Sequence, residues 1–279
     1  MIPPSVLAEV HPVYLGSLLA CAAWQVLYLF LWSPLGSRLC LPSSVKVDGA
    51  MWRIKLVNAL HAALAGPAAT LVLLLERESR TRLGAAVGLD GGYLAANALY
   101  GAETDITSKI VAMSVGFFMW DLLHFAQWER RDAIMLGHHV VSITVWPLSM
   151  VSRYAAWFVL VNIASEVSSP LLQARWFART VYGKDSKEFA LVSTTFAATF
   201  FLFRSTLIAP VFYAYFACAP WAPAMACGGR CATVAERIVS AVSIPIPQLL
   251  NLVWTLEIAN AVRRQLRPSK GGKRAAKSE

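Results

Sequence analysis

Apolar runs of about 18 to 25 residues recur along this chain, and they constrain its fold more than any other feature. A run of that length crosses ~30 Å of hydrocarbon as an α-helix. Composition agrees: of 279 residues, 57% are hydrophobic and 15% charged. A soluble domain needs roughly 25% charged residues to cover its surface. The chain is therefore expected to be an all-α, polytopic membrane protein.

Seven runs stand out, at about 13–33, 54–75, 107–125, 133–151, 155–177, 189–217 and 234–262. The sixth is expected to bend near Pro210 and the seventh near Pro245 and Pro247, breaks that neighbouring helices can satisfy. The opening "MIPPSVLAEVHPVY" has no basic stretch of the signal-peptide kind, so the first run reads as a retained span. No internal repeat divides the chain. Its organisation reads as an entry segment with one span and a loop (1–49), a six-span unit (50–262) and a basic tail (263–279).

Lys and Arg set the orientation. With the N-terminus outside, the inside segments hold 17 basic residues and the outside segments 7, leaving Arg204 within a span. The N-terminus is thus expected to be lumenal or extracellular and the C-terminus cytosolic. The net charge of +9 resides largely in the tail "RRQLRPSKGGKRAAKSE". Those charges are juxtamembrane and not interleaved with stacking aromatics, so anionic lipid headgroups suit them and nucleic acid does not. Cys227 and Cys231 in "CGGRC" fall on the predicted oxidising side and are candidates for a disulfide, with Cys218 able to compete.

Ionisable groups at bilayer depth cost several kcal/mol unless paired or hydrated, and they mark function by default. The fourth run carries the vicinal pair His138 and His139; His139, Ser142, Trp146 and Ser149 share one helical face. His138 is rotated about 100° from His139, so one can face a cavity while the other bonds across to a neighbour. On the fifth run Asn162, Glu166, Ser169 and Gln173 form a stripe, with Pro170 beside it. The third run sets Asp121 and His124 three apart, the sixth holds Arg204 among phenylalanines, and the seventh aligns Gln248, Asn251 and Thr255. The second offers Asn58 and His61. These stripes are expected to converge on a polar interior chamber within a bundle of about seven helices. Asp121, His138, His139 and Glu166 would line it, with Arg204 as counter-ion.

Polar side chains also bind membrane helices together at ~1 kcal/mol each. Asn58, His61, Asn251 and Thr255 suit that role. Four ionisable groups exceed what helix association needs. A metal reading of the same acids and imidazoles is disfavoured, because side chains of adjacent helical residues diverge; no metal is expected. Carboxylate beside imidazole is the arrangement that activates a base or nucleophile.

Taken together, "GFFMWDLLHF", "LGHHVVSIT", "SEVSSPLLQARWF" and "LLNLVWTLEIANAV" resemble, in this order, four helices of the TLC domain, over about residues 50–262. Within that family the ceramide synthases carry a His pair, then His-Asp 27 residues on, then Ser-Asp. This chain has His138 and His139, then Ser165 and Glu166, then Ser168 and Ser169. It is more similar to the small TLC-domain-containing branch, whose members are linked to membrane lipid composition and fluidity.

The resemblance implies a multi-pass protein of lipid homeostasis in the endoplasmic reticulum, with the plasma membrane as the next choice. Membrane lipids and a second copy of the chain are the expected partners. An alternative is an acyltransferase of the ceramide-synthase kind. There no bound cofactor is needed and fatty acyl-CoA is the co-substrate. His138 or His139 would act as nucleophile or base, with Asp121 and Glu166 orienting the imidazole. His124, Ser142, Asn162, Ser169, Gln173, Arg204, Asn251 and Trp254 would contact lipid or substrate. A proton-coupled transporter is the second alternative, without repeat symmetry to support it.

Overall fold

The computed structural model describes residues 4–40, 48–97, 104–128, 133–152, 154–218 and 233–266, all but a few of them in helices. The proposed Cys227–Cys231 pair and most of the basic tail lie outside the described residues. Among the described residues, five helical segments are long and apolar enough to cross a bilayer: Pro12–Trp32, Gly49–Leu75, Asp105–His124, Ala133–Ser152 and Lys187–Ala217. The protein is a polytopic, all-α membrane protein.

In chain order, α1 (Pro4–Trp32) leads through the short α2 (Pro34–Cys40) to α3 (Gly49–Leu75). The start of α3 is fixed by Asp48, whose carboxylate accepts hydrogen bonds from the N–H groups of Ala50 and Met51. Arg53 ties the turn to both helices. It donates to the carbonyls of Leu31 (2.8 Å) and Gly49 (2.7 Å) and to Ser37 Oγ (2.9 Å), and lies 3.9 Å over the Trp32 ring. Two short helices not anticipated as elements follow, α4 (Arg77–Val87) and α5 (Gly91–Asn97), before α6 (Asp105–Trp128) and α7 (Ala133–Ser152).

The predicted run 155–177 is not one regular helix. It divides into α8 (Ala156–Ala164), a 3₁₀ turn over Ser165–Ser168, and α9 (Ser169–Tyr182). Pro170 supplies the reason: it has no N–H to return to the carbonyl of Glu166, and its ring would crowd that carbonyl in an α turn. The chain tightens instead, and the Ser169 N–H closes on the Glu166 carbonyl. Every residue of α8 is buried, so the segment runs through the middle of the bundle.

The sixth run comprises α10 (Lys187–Phe200), a π turn over Phe201–Ser205 and α11 (Thr206–Cys218). Its irregularity lies a turn before the expected site; α11 passes through Pro210. The seventh run breaks at Ile244, between α12 (Val234–Ser243) and α13 (Pro245–Leu266), beside the two prolines that forecast it.

Two glycines set close helix crossings. A Cβ on Gly66 would lie 2.5 Å from the Val167 nitrogen and 2.7 Å from the Glu166 carbonyl carbon, so α3 rests directly on the 3₁₀ turn. A Cβ on Gly116 would meet α1 at the Cys21 nitrogen, 2.7 Å away. The far side of α1 exposes Leu15, Leu18, Leu19, Val26 and Leu29, a surface suited to lipid.

Candidate functional site

The irregular turns bring polar groups to one place. The π turn projects Arg204 inward, where it is buried (6% exposed). Single π turns inside α-helices often accompany functional sites. The guanidinium donates from Nε to Ser168 Oγ (3.0 Å), from Nη1 to Asn251 Oδ1 (3.1 Å), and from Nη2 to Glu166 Oε1 (3.1 Å) and Ser169 Oγ (2.7 Å). Ser169 Oγ also bonds to Glu166 Oε2. The 3₁₀ turn and the first residue of α9 thus present Glu166, Ser168 and Ser169 together to one cation.

His139 of α7 meets Asp121 of α6, Nε2 to Oδ2 at 2.7 Å. Its other nitrogen, Nδ1, lies 2.7 Å from the Met135 carbonyl oxygen. A carbonyl only accepts, so Nδ1 carries a proton. A second proton must then lie between Nε2 and Oδ2, on one atom or the other. The His139–Asp121 pair therefore holds one proton more than a neutral imidazole plus a carboxylate.

His138 behaves differently. Its imidazole makes no hydrogen bond among the described residues and is flanked by the rings of Phe118 (centroids 5.2 Å apart) and Trp254 (6.4 Å). An imidazole with an uncommitted nitrogen can serve as base or nucleophile.

These groups line a chamber of about 350 Å³. Of the predicted site residues, Asp121, His138, His139, Glu166, Ser169, Gln173, Arg204 and Trp254 all border it. Asn162 and Asn251 border a smaller adjoining space that shares His138, Glu166, Arg204 and Trp254 with the chamber. Asn162 Oδ1 accepts from Gln248 Nε2 (2.7 Å), linking α8 to α13. Ser142 is not at the wall; its hydroxyl donates to the His138 carbonyl (2.9 Å), one turn back.

His124 lies outside the chamber lining. Its Nε2 is 3.3 Å from Gln25 Oε1, and its ring packs against Tyr28 and Trp120. Three residues along a helix leaves about 60° between side chains, enough for α1 to capture His124 while Asp121 turns to α7.

Asn58 and His61 suit helix association by their spacing, yet both border the chamber. His61 stacks on Phe117 (3.7 Å, 4° between planes) and its Nε2 lies 3.4 Å from Ser114 Oγ. Arg175 and Glu257 also border the chamber; the sequence does not single them out, because they sit near the ends of their runs. Phe117, Phe118, Leu172, Phe196 and Phe200 supply apolar lining.

Comparison with known proteins follows the same outline. The TLC domain family matches residues 51–260. TLC domain-containing protein 4-B of Danio rerio is 23% identical over 227 residues, covering 80% of this chain and 78% of that protein. TLC domain-containing protein 4-A of Xenopus laevis is 24% identical over 167 residues, 58% of this chain and 62% of that one. The Homo sapiens TLC domain-containing protein 4 is 19% identical over 211 residues, 75% and 72% of the respective chains. No solved structure matches. Since the matched region runs from the start of α3 nearly to the end of α13 and contains every residue bordering the chamber, the chain belongs to the TLC domain family.

Proposed function

We propose that this protein acts on or senses the acyl composition of the membrane it spans, holding the polar end of one lipid in the chamber. The supporting observation is the chamber itself. Charged and polar groups from six of the seven runs meet there beside phenylalanine and leucine side chains. Its volume of about 350 Å³ falls at the small end of the ~300–1,000 Å³ typical of ligand sites. That suits a headgroup and the first part of a chain, with the remaining acyl carbons in the bilayer. The test is to purify the protein in mild detergent and identify retained lipid by mass spectrometry, in parallel with the cellular lipid profile of His138→Ala. No retained lipid and an unchanged profile would dispose of the reading.

A second reading is acyl transfer from a fatty acyl-CoA to the amine or hydroxyl of a lipid. The unbonded His138 imidazole favours it. In that reading His138 is nucleophile or base, the His139–Asp121 pair supplies a proton, and Glu166 faces the charge that develops on His138. Incubation of purified protein with a labelled acyl thioester tests it. Full transfer by both His138→Ala and His139→Ala would end it.

We further place seven spans, with the N-terminus lumenal and the C-terminus cytosolic, in the endoplasmic reticulum. The excess of basic residues supports the orientation. Reporters fused at each end, scored for lumenal modification, test it.

A further inference from the structure

The charges around the chamber can be counted. Glu166 faces Arg204 at 3.1 Å, and the pair cancels. Asp121 and His139 share a proton and are together neutral wherever it sits. Arg175 and Glu257 both border the chamber and offset one another; Arg175 also donates from Nε to Ser193 Oγ (3.0 Å). His61 and His138 have no carboxylate hydrogen-bonded to them. With those two imidazoles neutral, the lining sums to zero. An anion brought from water into this site would find no uncompensated cation to repay its desolvation, which costs several kcal/mol at bilayer depth.

One donor is nonetheless left over. Arginine carries five N–H groups. Four are used, by Ser168, Asn251, Glu166 and Ser169. The fifth, on Nη1, makes no bond among the described residues, and Arg204 borders the chamber. A neutral acceptor oxygen is what such a donor can take.

We propose that the group received in the chamber is an uncharged acyl carbonyl, in ester, thioester or amide linkage, with Arg204 Nη1 as its hydrogen-bond donor and Glu166 as the residue that excludes ionised carboxylates and phosphates. The specificity rests on the chamber being a lipid site, as proposed above. Glu166 sets it by neutralising Arg204. Without that acid the same guanidinium becomes an anion site.

The experiment uses the full chain in lipid nanodiscs and a diazirine-bearing methyl dodecanoate as photoprobe. Cross-links are expected at bordering residues such as Phe117 and Leu172. Methyl dodecanoate, dodecanoate and dodecyl phosphate then compete at about pH 8, where both acids are ionised. The ester should compete at least about tenfold better than either anion. Glu166→Gln should reverse the order of ester and dodecanoate. Equal competition by either anion in the wild type, or an unchanged order in a folded Glu166→Gln protein, overturns the specificity and leaves the lipid site standing. Absence of cross-links at the bordering residues overturns both. The wild-type ranking decides the matter even if the variant does not fold.

Discussion

Replacing Gly66 with alanine adds one methyl where α3 rests on the Glu166–Val167 backbone. The new carbon would start 2.5 Å from the Val167 nitrogen, whereas ordinary contact begins near 3.4 Å. The crossing must therefore open by about 0.9 Å. Because the obstacle is backbone, no side chain can rotate away, and overpacking of this kind costs ~1–3 kcal/mol. The displaced segment carries Glu166, whose bond to Arg204 is 3.1 Å long, so an outward shift of that size breaks it. Gly66→Ala should thus lose both unfolding free energy, measured in mixed micelles, and any lipid retained through purification. Gly116→Ala is the control. It forces the outer helix α1 off α6 by a similar amount, and no described residue of α1 borders the chamber. It should lose stability and keep the lipid. If Gly66→Ala unfolds like the wild type, or both variants lose lipid equally, the coupling between this crossing and the chamber is refuted.

Arg204→Met strands Glu166 and should cost ~3–5 kcal/mol, while the double variant with Glu166→Gln should cost less than the sum of the singles; additive losses in the same unfolding assay contradict the ion pair. His139→Ala should destabilise by a few kcal/mol because it strands Asp121, whereas His138→Ala should unfold within about 1 kcal/mol of wild type. Thermal melts separate the two. Arg53→Lys keeps the charge but cannot reproduce three differently directed bonds, and should cost ~1–3 kcal/mol, read as easier proteolysis of the segment joining α1 and α3.

The five described spans were legible because hydropathy reports whether a helix can face lipid. It does not report how a helix is wound. Pro170 marked a disturbance in the fifth run, but its effect on the carbonyl of Glu166 emerges only once Gly66 and Arg204 are seen to hold the tightened turn. Pro210 pointed to a disturbance in the sixth run, but the π turn that lies a turn before it has no signature in composition. Within the site, the sequence named the groups but not their partners. Asp121 could have bonded on either side of α6, and only the placement of α1 and α7 gives His139 to Asp121 and His124 to Gln25. Asn58 and His61 shared a face as expected, yet spacing cannot tell a helix contact from a chamber wall.

The wide turn at Phe201–Ser205 takes up one residue beyond the regular pitch, so the two halves of that helix are set in rotation independently of each other. Before it, Phe196 and Phe200 border the chamber; beyond it, Val211, Ala214 and Tyr215 are buried. Deleting any one residue of the five would leave length and hydropathy nearly unchanged while swinging one half about 100° against the other. Either the guanidinium or the outer seam would then be misaligned. At this point the number of residues, more than their identity, is what the membrane-embedded machinery cannot vary.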